Sequence, residues 1–380
     1  MTRLRFTLFL ALSAPCFAAE GVPQANGVVV HEWGTFTSVA GTDGAPADWV
    51  TLTGSTDLPC FVNHLGGMNF KAAWGKVRME TPVLYFYAPT RTALSVHVDF
   101  PEGLITEWYP RAARVVPDTA PYGARDGAID WRVEVAPGET ASLPVGKSAS
   151  HYYAARQTDA ALLKAGPESE KMLFYRGIGS PAVPLEPRFT ADGQLQIRNR
   201  GVAPIPAAIV FENRGGRIGY RIVRGLQGAV QLDVVNLSGS LEALRGDLAA
   251  ALVEAGLFEK EAQAMIATWR DSWFEEGMRV MYIEPRAEVD RTLPLRVSPA
   301  PRTTARVFVG RVEVLSPWSR KTLAAALVAG DVATLRKYGR FVDAYMRLLP
   351  GVTAAPAARQ FLDSSYQQVQ REFAHPSCVQ

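Results

Sequence analysis

The sequence lacks most of the features by which common protein classes are recognised. Beyond the N-terminus no stretch stays apolar for the ~20 residues needed to cross a bilayer, which leaves no transmembrane anchor in the body of the chain. Lysine occurs only eight times, no window carries a basic run, and 40 basic residues stand against 37 acidic ones. A nucleic-acid binder needs a cationic stripe that releases counterions from phosphates, so nucleic acid is set aside as a partner. Cysteine is scarce, at three, and histidine occurs five times. There is no Gly-x-Ser-x-Gly elbow, no His-Glu-x-x-His helix, no phosphate loop and no Gly-x-Gly-x-x-Gly turn, which removes the commonest hydrolases, metalloproteases and nucleotide enzymes. No repeat of 20 to 50 residues points to a solenoid or propeller.

What is present begins with a basic head, Met1-Thr2-Arg3-Leu4-Arg5, an apolar run from Phe6 to Ala14, and small residues at Cys16, Ala18 and Ala19. That anatomy predicts a signal peptide over residues 1–19, cleaved after Ala18 or Ala19, and an exported protein, periplasmic or extracellular. With Cys16 removed, Cys60 and Cys378 remain, and an oxidising compartment predicts a disulfide between them. It would close a loop of about 318 residues, for which chain entropy sets an upper bound of about 6 kcal/mol.

From Gly27 to Gly239 short strand-like runs alternate with Gly, Pro, Asn and Asp, the pattern of an antiparallel β-sandwich. After Gly239 helix formers take over: Ser240 is a good N-cap, and Leu241, Leu244, Leu248 and Leu252 recur at helical spacing up to Gly256. A second helix is expected over residues 259–274, strands near 279–283, 293–297 and 306–315 with a bulge at Gly310, and helices over 319–329, 332–349 and 357–373. The fold class is therefore α+β, divided into a β-rich sandwich-like domain at 20–238 and an α+β domain with a helical C-terminal part at 239–380.

The most distinctive segment is His31-Glu32-Trp33-Gly34-Thr35-Phe36-Thr37. Neighbours on a strand point to opposite faces, so His31 and Glu32 meet one ligand only if a bulge or strand end intervenes. Three functional readings follow. In the first, the chain binds a small-molecule, glycan or envelope ligand without covalent chemistry, with Trp33 and Trp108 as aromatic platforms. In the second, His31, His97, Asp99 and His151, with Glu32, hold a divalent metal such as zinc or copper for a hydrolase or oxidoreductase. In the third, Glu32, Glu80 and Glu107 supply the paired carboxylates of a glycoside hydrolase. Cys60, His64, His375 and Cys378 also have the residue types of a Cys₂His₂ zinc site, although a disulfide is the simpler use of the cysteines.

The opening His31–Thr37, with Leu58-Pro59 and Phe61-Val62, resembles an uncharacterised family of secreted bacterial proteins. Arg78–Tyr87, Leu173–Gly177 and Thr268–Gly277 fit the same pattern. The resemblance spans most of the chain and implies export; it carries no activity and no catalytic residue.

Overall fold

The computed structural model describes residues 27–51, 58–66, 73–119, 125–146, 150–233 and 235–374, with side chains through residue 369. Along it run β1 (Val29–Val39), β2 (Asn63–His64), β3 (Val77–Tyr87), β4 (Thr92–Phe100), β5 (Gly103–Tyr109) and β6 (Arg114–Val116). Next come β7 (Gly127–Ala136), β8 (Leu162–Ala165), β9 (Glu168–Glu170), β10 (Leu173–Gly179), β11 (Leu185–Phe189) and β12 (Leu195–Asn199). The last strands are β13 (Ile205–Arg214), β14 (Arg217–Leu226), β15 (Ala229–Leu232), β16 (Gly277–Ile283), β17 (Leu295–Ser298) and β18 (Thr303–Val314). The α-helices are α1 (Leu241–Glu254), α2 (Glu259–Trp269), α3 (Arg286–Thr292), α4 (Pro317–Ala329), α5 (Val332–Lys337), α6 (Val342–Arg347) and α7 (Pro356–Ala374).

The expected α+β class holds. A nine-stranded sheet in the order β14-β13-β16-β18-β1-β3-β10-β5-β2 forms the centre. Its β1 strand runs parallel to β18 and antiparallel to β3. A six-stranded sheet, β17-β4-β7-β8-β9 with β6 on β7, and a three-stranded sheet, β11-β12-β15, complete the strands. The central sheet takes β1, β3, β10 and β13 from one side of residue 238 and β16 and β18 from the other. The two expected segments thus share one sheet instead of each closing on its own.

Because both faces of the central sheet are covered, its strands read as near-continuous apolar runs. On one face Trp33, Tyr85, Phe174, Ile209, Met281 and Val309 pack under α1 and α2. On the other, Val30, Phe36, Leu84 and Phe308 meet the six-stranded sheet through Val96, Val98 and Trp131. Val210, Val280 and Val312 meet the three-stranded sheet. Helices α4 to α7 gather at one end around Val39, Trp49 and Leu315. No helix among the described residues is long and apolar enough to cross a membrane.

Local chemistry sets several boundaries. The Ser240 hydroxyl accepts from Ala243 N and starts α1, while Ser316 with Pro317 at the first position starts α4. Gly330, at φ 70°, closes α4 in the left-handed conformation that only glycine adopts cheaply. The single helix expected over 332–349 is broken: Gly339, at φ 49°, separates α5 from a 3₁₀ turn, Gly339–Phe341, and α6. The helix expected to reach Phe274 ends at Trp269, followed by turns. Gly310 is not a bulge, since β18 keeps register with both neighbours through it. A side chain at 310 would collide with the Tyr282 ring. Register breaks lie elsewhere in the sheet: between Trp33 and Thr35, opposite Thr81, whose φ is 51°, and on β10 before Gly177 against both β3 and β5.

Candidate functional site

At one end of the helix-covered face of the central sheet, the apolar side chains give way to charged ones. Alternation places Arg279 of β16, Arg311 and Glu313 of β18, Thr37 of β1, Arg78 and Glu80 of β3, and Arg176 of β10 on that face. Glu107 of β5 stands directly across from Arg176 in the strand register. The turn after α2 and the 3₁₀ turn before α6 add Ser272, Glu275 and Arg340.

These groups bond to one another. Glu313 accepts from Arg279 Nε at 2.9 Å, Arg311 Nε at 2.7 Å and the Tyr345 hydroxyl at 3.0 Å. Arg311 also donates to Ser272 Oγ and to Glu275, each at 2.8 Å. Arg340 donates to Ser272 Oγ at 3.1 Å and to both oxygens of Glu80, which takes a further 2.5 Å bond from the Thr37 hydroxyl. Burial alone would raise the pKa of Glu80, but the charge and hydrogen bonds of Arg340, with the Thr37 bond, outweigh it and hold the carboxyl below its usual value. Glu313 is likewise lowered, because Arg279 and Arg311 outweigh its burial. Burial is the largest influence on Arg78 and pushes its guanidinium down to about 9; Glu80 opposes the shift, and Arg340 and Arg176 add to it. Arg78 lies over the Trp49 ring at 4.8 Å and donates to Ala73 O at 2.7 Å.

Four of the stretches singled out in the sequence meet in this row: Thr37 from the first, Arg78 and Glu80 from the second, Arg176 from the third, Ser272 and Glu275 from the fourth. Glu80 and Glu107 therefore share a face. Glu32 does not, since it lies on the opposite face, where Arg306 Nε and the Tyr175 hydroxyl each reach it at 2.5 Å. His31 and Glu32 point apart, as strand geometry requires. His31 Nδ1 lies 2.8 Å from Glu261, whose carboxylate also takes the Tyr87 hydroxyl at 2.7 Å and Phe258 N at 2.8 Å. That carboxylate caps α2 and ties it to the sheet. Trp33 is fully buried beside Tyr85 and Trp108 packs at the second core, so Trp33 offers no open face to a sugar. Gly34 lets the Phe308 ring lie against the strand, and Phe36 stacks on that ring at 5.0 Å.

Of the expected metal set, His97 and Asp99 meet, but the four residues do not form one group. His97 has both ring nitrogens engaged on the six-stranded sheet, with Asp130 at 2.6 Å and Asp99 at 2.8 Å, while Arg296 holds Asp99 at 3.0 Å. His151 opens a 3₁₀ helix, His151–Arg156. Among the described residues no three His, Cys, Asp or Glu side chains group as metal ligands. Cys60 is disulfide-bonded, which removes it from the Cys₂His₂ set; His64 stands 3.8 Å from Glu107, and His375 and Cys378 lie outside the described residues. Arg270 is an exposed surface residue, 3.5 Å from Asp271.

No family model and no curated protein sequence matches this chain.

Sequence reasoning passed over Glu261, Arg279, Arg311, Glu313 and Arg340. The signal for three of them was present: a charged residue at an inward position of an otherwise apolar strand, as in Met278-Arg279-Val280 and Gly310-Arg311-Val312-Glu313-Val314, marks a buried ion pair.

Proposed function

We propose that this chain is an exported protein that binds a small-molecule, glycan or envelope ligand without making or breaking covalent bonds. The supporting observation is that Glu32, Glu80, His31 and His97, candidates for chemistry in the sequence, are committed to internal partners. General acid–base catalysis needs a group near its pKa within reach of substrate. Glu80 is instead held as an anion by Arg340 and Thr37, Glu32 is enclosed by Arg306 and Tyr175, and His31 is locked to Glu261. Residues 1–19 serve as a cleaved signal peptide, and Cys378 is the partner of Cys60; non-reducing peptide mapping of the exported protein checks both.

The test is a panel of glycans, envelope fragments and small metabolites incubated with excess protein, read by thermal shift and by mass spectrometry of the ligand. The expected outcome is a raised midpoint with at least one ligand and no product from any. Turnover abolished by Glu80→Gln would overturn the reading in favour of a glycoside hydrolase.

A further inference from the structure

Where β3 ends at Tyr87, the segments Pro137–Leu143 and Asp159–Leu162 fold around it and leave a groove of about 320 Å³. That volume is at the lower end of the range for small-molecule sites. Tyr87, Leu143, Ala161 and Leu162 supply apolar surface, and Glu139, Asp159 and Lys171 are its charged residues. Both acids are already matched. Glu139 pairs with Arg91 and, at 2.6 Å, with Lys164; Asp159 pairs with Lys260 at 2.6 Å. Lys171 differs. Its ammonium donates to a backbone carbonyl, Thr158 O, at 2.5 Å, and no carboxylate among the described residues comes within ion-pair distance. An ammonium carries three donors; burial opposes the charge of Lys171, and Asp159 and Glu170 act on it only from beyond ion-pair distance, so a carboxylate in direct contact is favoured.

We propose that this groove binds a small monoanion, a carboxylate whose oxygens take Lys171 and whose apolar body lies against Tyr87, Leu143 and Leu162. The Tyr87 hydroxyl is turned to Glu261, so this residue contributes its ring and not a hydrogen bond. Among the groove's described lining residues Lys171 supplies the single cation, which matches one negative charge and so favours a carboxylate over a phosphate dianion. The inference rests on the ligand-binding reading and gives it a place and a chemistry.

Calorimetric titration of the full exported protein with octanoate and with its neutral analogue octanamide tests it. Wild type is expected to prefer octanoate at least tenfold, Lys171→Gln to lose that preference, and Ala161→Phe, which fills the groove, to lose octanoate binding. The Lys171→Gln comparison is a ratio between two ligands on one protein, so a loss of folded protein does not imitate it. Absence of octanoate binding, or a preference unchanged in Lys171→Gln, overturns the proposal. In that event a midpoint shift from another ligand in the panel leaves the binding reading standing, whereas ligand turnover in the panel removes the reading itself.

Discussion

Arg340 and Glu80 stand 260 residues apart in sequence, yet both terminal nitrogens of the guanidinium bind the carboxylate, one of them at 3.2 Å. This pair pins the turn before α6 to the middle of the central sheet. Charged hydrogen-bonded pairs of this kind are costly to break from one side, because the remaining charge stays buried.

Arg340→Met should therefore destabilise the fold by roughly 2–4 kcal/mol at neutral pH, somewhat less than for a fully buried pair because Arg340 reaches solvent. Glu80 has a lowered folded pKa, so its contribution is present above the unfolded value and is lost as pH falls through the folded one. Urea midpoints of wild type and variant should converge as the solution is acidified. Equal midpoints at pH 7 would show that the pair contributes nothing.

Glu284 has the opposite sign. Burial, its largest influence, pushes the carboxyl from 4.5 up to about 8, with the Tyr282 hydroxyl opposing, Glu288 adding and Arg291 opposing. A carboxyl raised in the folded state stabilises fully below its unfolded pKa, and that stability drains as pH climbs from about 4.5 to about 8, by at most about 1.4 kcal/mol per pH unit. Glu284→Gln removes the titration and keeps an amide in its place. Between pH 6 and 8 the variant should gain on wild type in urea unfolding; parallel profiles would contradict this origin of the shift.

At Gly310 the prediction concerns crowding alone. A Cβ there would lie 2.1 Å from Cζ of the buried Tyr282 ring. Gly310→Ala should cost about 1–3 kcal/mol by overpacking. The cost should shrink when Tyr282→Leu is combined with it, and a double-mutant cycle by chemical denaturation measures the coupling. Strict additivity of the two changes would place the strain elsewhere.

Much of the local structure was legible in the chain. The strand-like runs at Leu94–Phe100 and Ile129–Val135 fall inside β4 and β7, and Ser240 caps α1 because its hydroxyl accepts from the first turn. Long-range order was not legible. Nothing in Val29–Val39 names Thr303–Val314 as its parallel neighbour, since two apolar strands are interchangeable until the whole sheet is assembled. The same limit applied to the site. Glu80 and Glu107 were visible as acids, but the arginine that binds Glu80 arrives from a turn 260 residues away. Gly310 was misread because β18 is buried on both faces, and alternation fades where neither face is wet.

The position of β1 between β3 and β18 also bears on the order of assembly. A chain made from its N-terminus holds the first strand of its largest sheet long before the strand that completes its other side, and the contact spans 274 residues at Glu32 and Arg306. Until Thr303–Val314 emerges, one backbone edge of β1 has no native neighbour to receive its hydrogen bonds. Contacts of such separation form late and slowly. A chain truncated before β18 would therefore keep its early strands and leave an open, apolar edge in the middle of what should be the sheet, the kind of surface on which copies join one another.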